Sequence, residues 1–198
     1  MPDKERVNHL VVIASSTGGP KSLQQVIPKL PANLDAAVIV VQHMPSGFTN
    51  SLAERLNQLS KIQVSEANDQ EILKNGHVYI AKGGRHLKVQ EKNGVYRIML
   101  TDEPPREGVR PCANYAYESL TEVSAKEIVA VVLTGMGADG TAGIRHLKEK
   151  KEIYTIAQDK DSSVIYGMPK MLTEAGLVDV SLPLSKIADE ITKKLGVR

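Results

Sequence analysis

The stretch Leu10-Val11-Val12-Ile13-Ala14-Ser15-Ser16-Thr17-Gly18-Gly19-Pro20 decides how the rest of the chain is read. It opens as an unbroken apolar run, the mark of a strand buried on both faces in a parallel sheet. It then breaks into hydroxyl and glycine residues, the chemistry of a tight turn. Pro20 suits the first turn of a helix, where the N–H it lacks would have no partner anyway. Strand, turn and helix together put Ser16 at the carboxyl edge of a sheet, beside the positive end of a helix dipole. An exposed nucleophile or a bound anion belongs at such a place.

Outward from this stretch the same pattern recurs. The first strand spans 7–14, and residues 21–30 read as a helix with Leu23, Val26, Ile27 and Leu30 on one face, stopped by Pro28 and Pro31. Residues 36–42 form a second apolar strand that runs into His43-Met44-Pro45-Ser46-Gly47, and Thr49 can cap a helix reaching to about 60. Residues 128–133 form a third, running into Thr134-Gly135-Met136-Gly137-Ala138-Asp139-Gly140 and a helix carrying Ile144 and Leu147. Shorter strands are predicted at 62–64, 77–81, 153–157 and 177–180, and helices at 113–123, 167–175 and 184–195. Strands at 87–90 and 95–100 flank Lys92-Asn93-Gly94, and Asn-Gly is a strong hairpin signal, so an antiparallel edge is expected there. Residues 101–111 have turn and charge chemistry without periodicity, which suggests a rim to a site. Strands alternating with helices imply an α/β fold with a mostly parallel sheet, covered on both faces.

Composition narrows the function. With 198 residues the chain fits one domain: a polar tail or linker remnant at 1–6 and a single domain over 7–198. Basic and acidic residues number 25 and 23, a net charge of +2, which argues against a nucleic-acid partner. No apolar run is long enough to span a membrane and no signal peptide is recognisable, so direct membrane insertion is not expected. The lone Cys112 excludes an internal disulfide, and the cytoplasm is the expected compartment.

Ligands and chemistry in such sheets sit beyond the carboxyl ends of the strands. Ser16, His43 and Asp139 each follow one of the buried strands, and together they are the set needed for acyl transfer. Histidine takes the serine proton, aspartate fixes its tautomer, and a backbone N–H holds the developing oxyanion. Ala14-Ser15-Ser16-Thr17-Gly18 is G-x-S-x-G with alanine in first place, which makes the Thr17 N–H the natural oxyanion donor and Ser15 a structural residue.

Each member also has a plainer reading. His43 can be a turn residue, and Asp139 can cap the helix that follows it. His9 and His77 stand at the wrong strand ends, and His86 and His146 lack partners at ligand spacing, so neither a metal nor a cofactor is expected. Cys112, near a helix start, reads either as a thiol of lowered pKa or as a buried inert one. Lys82, Arg85, Arg106 and Arg110 read as a solvated surface or, less simply, as a docking patch for an acidic partner. A phosphate site at Ser16-Thr17-Gly18-Gly19 is the main rival. Against it, both the lysine P-loop and G-x-G-x-x-G are absent, and Gln42-His43 stands where a ribose-binding acid belongs. A non-catalytic interaction domain is the third possibility, and it predicts no serine reactivity.

Four separated motifs carry a resemblance. Ser16-Thr17-Gly18-Gly19, Val41-Gln42-His43-Met44-Pro45-Ser46-Gly47-Phe48-Thr49, Leu133-Thr134-Gly135-Met136-Gly137-Ala138-Asp139-Gly140 and Tyr166-Gly167-Met168-Pro169 resemble the catalytic domain of the chemotaxis receptor methylesterase (CheB) family, in the same order and over nearly the whole chain. The resemblance implies a doubly wound α/β domain, a Ser16, His43, Asp139 triad, and Thr17 and Met136 beside the oxyanion. It implies hydrolysis of glutamate methyl esters on methyl-accepting chemoreceptors, in their cytoplasmic helical region, and deamidation of particular receptor glutamines. Members usually carry a phosphorylatable receiver domain ahead of this one. None is present in this sequence, so either it is an excised catalytic domain whose regulatory receiver domain is a partner missing from the chain, or regulation is lost or lies elsewhere. The family usually has Gly-Ala where Ala14-Ser15 stands, and often Asp where Asn114 stands, so Asn114 is given no role.

Overall fold

The computed structural model describes residues 6–198, so the tail expected at 1–6 lies outside the described residues except for Arg6. Nine strands form: β1 (His9–Ser15), β2 (Ala37–Gln42), β3 (Gln63–Glu66), β4 (His77–Ile80), β5 (His86–Lys92), β6 (Val95–Thr101), β7 (Glu127–Val132), β8 (Tyr154–Gln158) and β9 (Val180–Leu182). Seven make one parallel sheet in the order β3-β4-β2-β1-β7-β8-β9. β1 is its centre because it can be: every residue from Leu10 to Ser15 is buried.

Alternation along β1 divides the core in two. Val11 and Ile13 face a layer made by α1 (Gly19–Val26), α2 (Phe48–Leu59) and α6 (Leu184–Leu195), through Leu23, Leu56 and Ile187 among others. Leu10, Val12 and Ala14 face α3 (Ala113–Ser119), α4 (Thr141–Lys150) and α5 (Met168–Glu174), with Tyr117, Ile144 and Leu172. Each such Val, Leu or Ile stabilises the fold by about 1.5–3 kcal/mol when fully buried. The Tyr117 hydroxyl reaches the carbonyls of Val12 and Val131 at 3.1 and 3.0 Å, which seats α3 over the seam between β1 and β7.

That seam matters for position. From β1 the chain moves to β2, then to the edge strand β3 and back inward to β4, and after the β5–β6 hairpin it returns to the other side of β1 as β7, β8 and β9. The strand order therefore reverses at β1 and β7, and a crevice opens beyond their carboxyl ends. This is a doubly wound α/β sheet.

The structure departs from the sequence reading in several places. The hairpin forms as expected, with Asn93 and Gly94 both at positive φ (54° and 74°), as a two-residue turn of this type requires. It is not an edge of the large sheet. β5 and β6 pair only with each other as a ladder and lay Leu87, Val89, Ile98 and Leu100 into the α3 side of the core. The helix expected at 21–30 begins earlier and gives way after Val26 to a 3-10 turn at Ile27–Lys29, as Pro28 demands. Thr49 does not cap α2. It lies inside the first turn, donates to Glu66 at 2.6 Å and accepts the Gly83 N–H at 2.9 Å. The last strand is Val180–Leu182, further along than expected. Among the described residues no helix is long and apolar enough to cross a membrane.

Candidate active site

Ser16 is the first residue past β1. Its N–H donates to Thr134 at 3.0 Å and its carbonyl accepts the Gly19 N–H at 2.7 Å, so the chain turns sharply into α1. Gly18, at φ +81°, takes the left-handed conformation that this turn requires, and a Cβ there would meet the Val164 Cβ at 2.7 Å. Gly135 lies against the serine, since a Cβ on it would stand 2.8 Å from Ser16 Cβ. Ser16 is half-buried, and its hydroxyl has no hydrogen-bond partner among the described residues. Ser15 is different. It is fully buried, and its hydroxyl donates to Gln42 Oε1 at 2.6 Å.

His43 is the first residue past β2, and its N–H continues the ladder to the Ser15 carbonyl at 3.1 Å. Its Nε2 lies 2.6 Å from Asp139 Oδ2, with the two side chains only 10% and 3% exposed. Nδ1 is left without a partner among the described residues. The sheet therefore brings Ser16, His43 and Asp139 to one edge, and links the last two directly.

Asp139 collects four donors. Oδ2 accepts His43 Nε2 and the Ala113 N–H at 2.7 Å, while Oδ1 accepts the Asn114 N–H at 2.9 Å and the Cys112 thiol at 3.1 Å. Burial alone would raise this carboxyl, but the bonds from His43, Ala113 and Cys112 outweigh it and hold Asp139 below the usual carboxylate range. Burial and the Asp139 charge push the Cys112 thiol well up, so it stays protonated and donates. Of its two readings, the inert buried one fits.

The capping reading of Asp139 is right in kind and assigns the wrong helix. Asp139 precedes α4 but accepts the first N–H groups of α3. In return Asn114, within α3, accepts the Gly140 and Gly143 N–H groups at the start of α4, at 2.9 and 2.8 Å. Sequence reading gave Asn114 no role and missed both halves of this exchange. The available signal was an Asp and an Asn each lying beside a helix start, without its own helix to cap.

Thr17 and Met136 carry backbone N–H groups with no acceptor among the described residues, and both side chains are exposed. The other candidates are occupied elsewhere. His9 bonds the Asp35 carbonyl, His77 pairs with Ser65 and stacks on Tyr79, and His86 bridges the Cys112 N–H and the Pro104 carbonyl. Charges around 101–111 pair with one another, Arg85 with Asp102, Lys88 with Glu103 and Arg106 with Glu118. Lys82 is exposed. Among the described residues there is no group of three or more His, Cys, Asp or Glu side chains placed to hold a metal.

A family model described as CheB methylesterase matches residues 11–191. A protein-glutamate methylesterase/protein-glutamine glutaminase of Geobacillus kaustophilus is 47% identical over 187 residues, covering 94% of this chain and 54% of that protein. A protein of the same description from Bacillus subtilis is 46% identical over 183 residues, covering 92% and 50%. The crystal structure of the Thermotoga maritima CheB methylesterase catalytic domain superposes with a TM-score of 0.90 at 44% identity, covering 93% of this chain and 97% of that one. The chain spans about half the length of the curated relatives it matches.

Proposed function

The chain belongs to the CheB methylesterase family, and from that premise we propose that it is a serine hydrolase acting on glutamate methyl esters and selected glutamines of methyl-accepting chemoreceptors. The observation that carries the reading is the 2.6 Å contact between His43 Nε2 and Asp139 beside a serine turned out of the central strand. The relatives' description as methylesterase and glutaminase supplies the substrate class.

The chemistry follows from which atoms are free. Ionised Asp139 accepts the Nε2 proton of His43, so the lone pair of the neutral ring is on Nδ1. As Ser16 Oγ attacks the ester carbonyl, Nδ1 takes the hydroxyl proton. The oxyanion of the tetrahedral intermediate is received by the free N–H groups of Thr17 and Met136. Collapse breaks the bond to the methoxy oxygen, Nδ1–H returns its proton, and methanol leaves an acyl-Ser16. Water then attacks with the same proton relay and frees the glutamate. Asp139 stays ionised throughout, held so by its four donors.

The cytoplasmic helical region of the receptors is the partner this reading requires, and the cytoplasm its compartment. Residues 7–198 act as the catalytic domain, and a receiver domain contributed from outside them regulates it. Incubation with a methylated receptor fragment tests the reading by methanol release and a loss of 14 Da at the modified glutamate, roughly the mass of the CH₂ that ester hydrolysis removes. Ser16→Ala abolishes both, and methanol release that persists in that variant overturns the assignment.

A further inference from the structure

We propose that Gln42 is a positioning residue that sets the spacing of nucleophile and base; this rests on the serine-hydrolase reading. Gln42 closes β2, stands opposite Ser15 in the ladder, and is 2% exposed. Its amide is used completely. Oε1 accepts the Ser15 hydroxyl at 2.6 Å, and Nε2 donates to the carbonyl of Ser16 at 3.0 Å and to that of His43 at 3.2 Å. One planar group thus holds the backbone of the nucleophile and the backbone of the base at once.

Among the described residues no other side chain bonds the backbone of both Ser16 and His43. The β1–β2 ladder ends at the bond from the His43 N–H to the Ser15 carbonyl; beyond it the Ser16 N–H is held by Thr134 on the β7 side, and the carbonyls of Ser16 and His43 both turn to the Gln42 amide. The His43 carbonyl has no other donor among the described residues. The amide is also confined from above, because a Cβ on Gly19 would fall 1.9 Å from Oε1. That glycine leaves the space the amide fills. Bringing a hydroxyl and an imidazole to reacting distance is sensitive to small errors, with a 1 Å misplacement costing on the order of 100-fold. Residues behind the reacting groups commonly supply that accuracy.

A carboxamide has the right set of atoms, an acceptor for a hydroxyl and two donors for two carbonyls, and glutamine carries it one methylene further out than asparagine. Glutamate would turn an oxygen towards both carbonyls. Methionine fills the volume and makes neither bond.

The test measures labelling of Ser16 by a fluorophosphonate across pH, well below the thermal midpoint, in the wild type, Ser16→Ala, Gln42→Met and Ile191→Val. The last variant trims a core side chain of α6 and controls for lost stability. Wild-type labelling that vanishes in Ser16→Ala establishes the hydrolase reading independently of Gln42, and a wild type that does not label overturns that reading itself. We expect Gln42→Met to lower the plateau rate at least tenfold per folded molecule. The pH midpoint stays where it is, because the His43–Asp139 pair is untouched. Ile191→Val keeps the wild-type plateau. A Gln42→Met plateau within twofold of wild type, a displaced midpoint, or an equal drop in Ile191→Val overturns the positioning role.

Discussion

Asp139 offers two oxygens to four donors, and an amide in its place offers one. Asp139→Asn must therefore point an NH₂ at N–H groups it cannot accept from, leaving buried donors unpaired at about 1–3 kcal/mol. It also loses the acceptor that keeps the His43 proton on Nε2, and turnover should fall by about 10⁴, the size of the same substitution in a serine protease triad. Urea denaturation separates the two effects by pH. The folded carboxyl titrates below its unfolded value of about 3.9. Its stabilisation is thus complete above that value and is lost as pH falls through the folded value. The stability gap between wild type and Asp139→Asn should be full at neutral pH and narrow below about pH 4. A gap that is constant down to pH 3 would mean that the carboxylate charge contributes nothing to the fold. The adjacent serines divide just as sharply. Ser16→Ala should abolish hydrolysis with a stability change within about 1 kcal/mol, as for a turn residue whose hydroxyl has no partner among the described residues. Ser15→Ala removes one buried bond to Gln42, costing about 1 kcal/mol while most activity remains. Inactive Ser15→Ala enzyme would move the nucleophile by one residue. The different burial of the two serines was legible, because an elbow exposes its apex and buries the residue before it. Which ring nitrogen of His43 lies against Asp139 was not, since it depends on where the fold places residue 139.

At the scale of elements, α3 and α4 hold one another through exchanged caps. Asn114→Ala leaves the buried Gly140 and Gly143 N–H groups without acceptors, and chemical denaturation should register a loss of about 1–3 kcal/mol. Because Gly140 follows Asp139 directly, kcat should drop with it while KM changes little. Full kcat in a destabilised variant would confine Asn114 to a structural role. Why the exchange escaped the sequence has a physical answer. Its donors are backbone N–H groups, which every residue has, and its acceptors meet only when residues 25 apart are folded together. The strands beneath are another matter. Val11, Val38 and Val129 lie in runs buried on both faces, and burial of that kind leaves a pattern no surface segment imitates. β9 does not have that pattern, since Val180 and Leu182 are only half-buried around an exposed Ser181, and its position was misjudged accordingly. The hairpin was legible as a hairpin from Asn93-Gly94, but where it docks depends on Tyr96 and Ile98 finding the α3 side of the core, a tertiary fact.

For the molecule as a whole, the strand reversal at β1 and β7 places the candidate triad at the carboxyl edge of the sheet, with Ser16 half-buried and His43 and Asp139 nearly covered. Around Ser16 that edge carries exposed apolar side chains: Met136 at 67%, Val164 at 62% and, beyond His43, Phe48 at 59%. Under the proposed function, this edge meets a surface from which one side chain projects, as a glutamate projects from a receptor helix. Contacts away from the reacting bond then supply orientation at the reacting centre, and a small soluble ester lacks them. Methyl-glutamate in a receptor fragment should accordingly turn over far faster than a simple methyl ester, with the difference appearing in kcat as well as KM. Leaving groups set a second ratio. Methanol departs from the tetrahedral intermediate more readily than ammonia, and both wait for the same proton from His43. At one receptor position prepared either as methyl-glutamate or as glutamine, ester cleavage should outrun deamidation. Parallel mass spectrometry of the two fragments measures it: 14 Da lost in one, 1 Da gained in the other, roughly the masses of CH₂ and of the NH₂-to-OH exchange that acyl transfer to water produces. Equal rates would place the slow step before leaving-group departure, in docking or acylation geometry. A simple ester cleaved as fast as the receptor would remove the role assigned here to the exposed apolar edge.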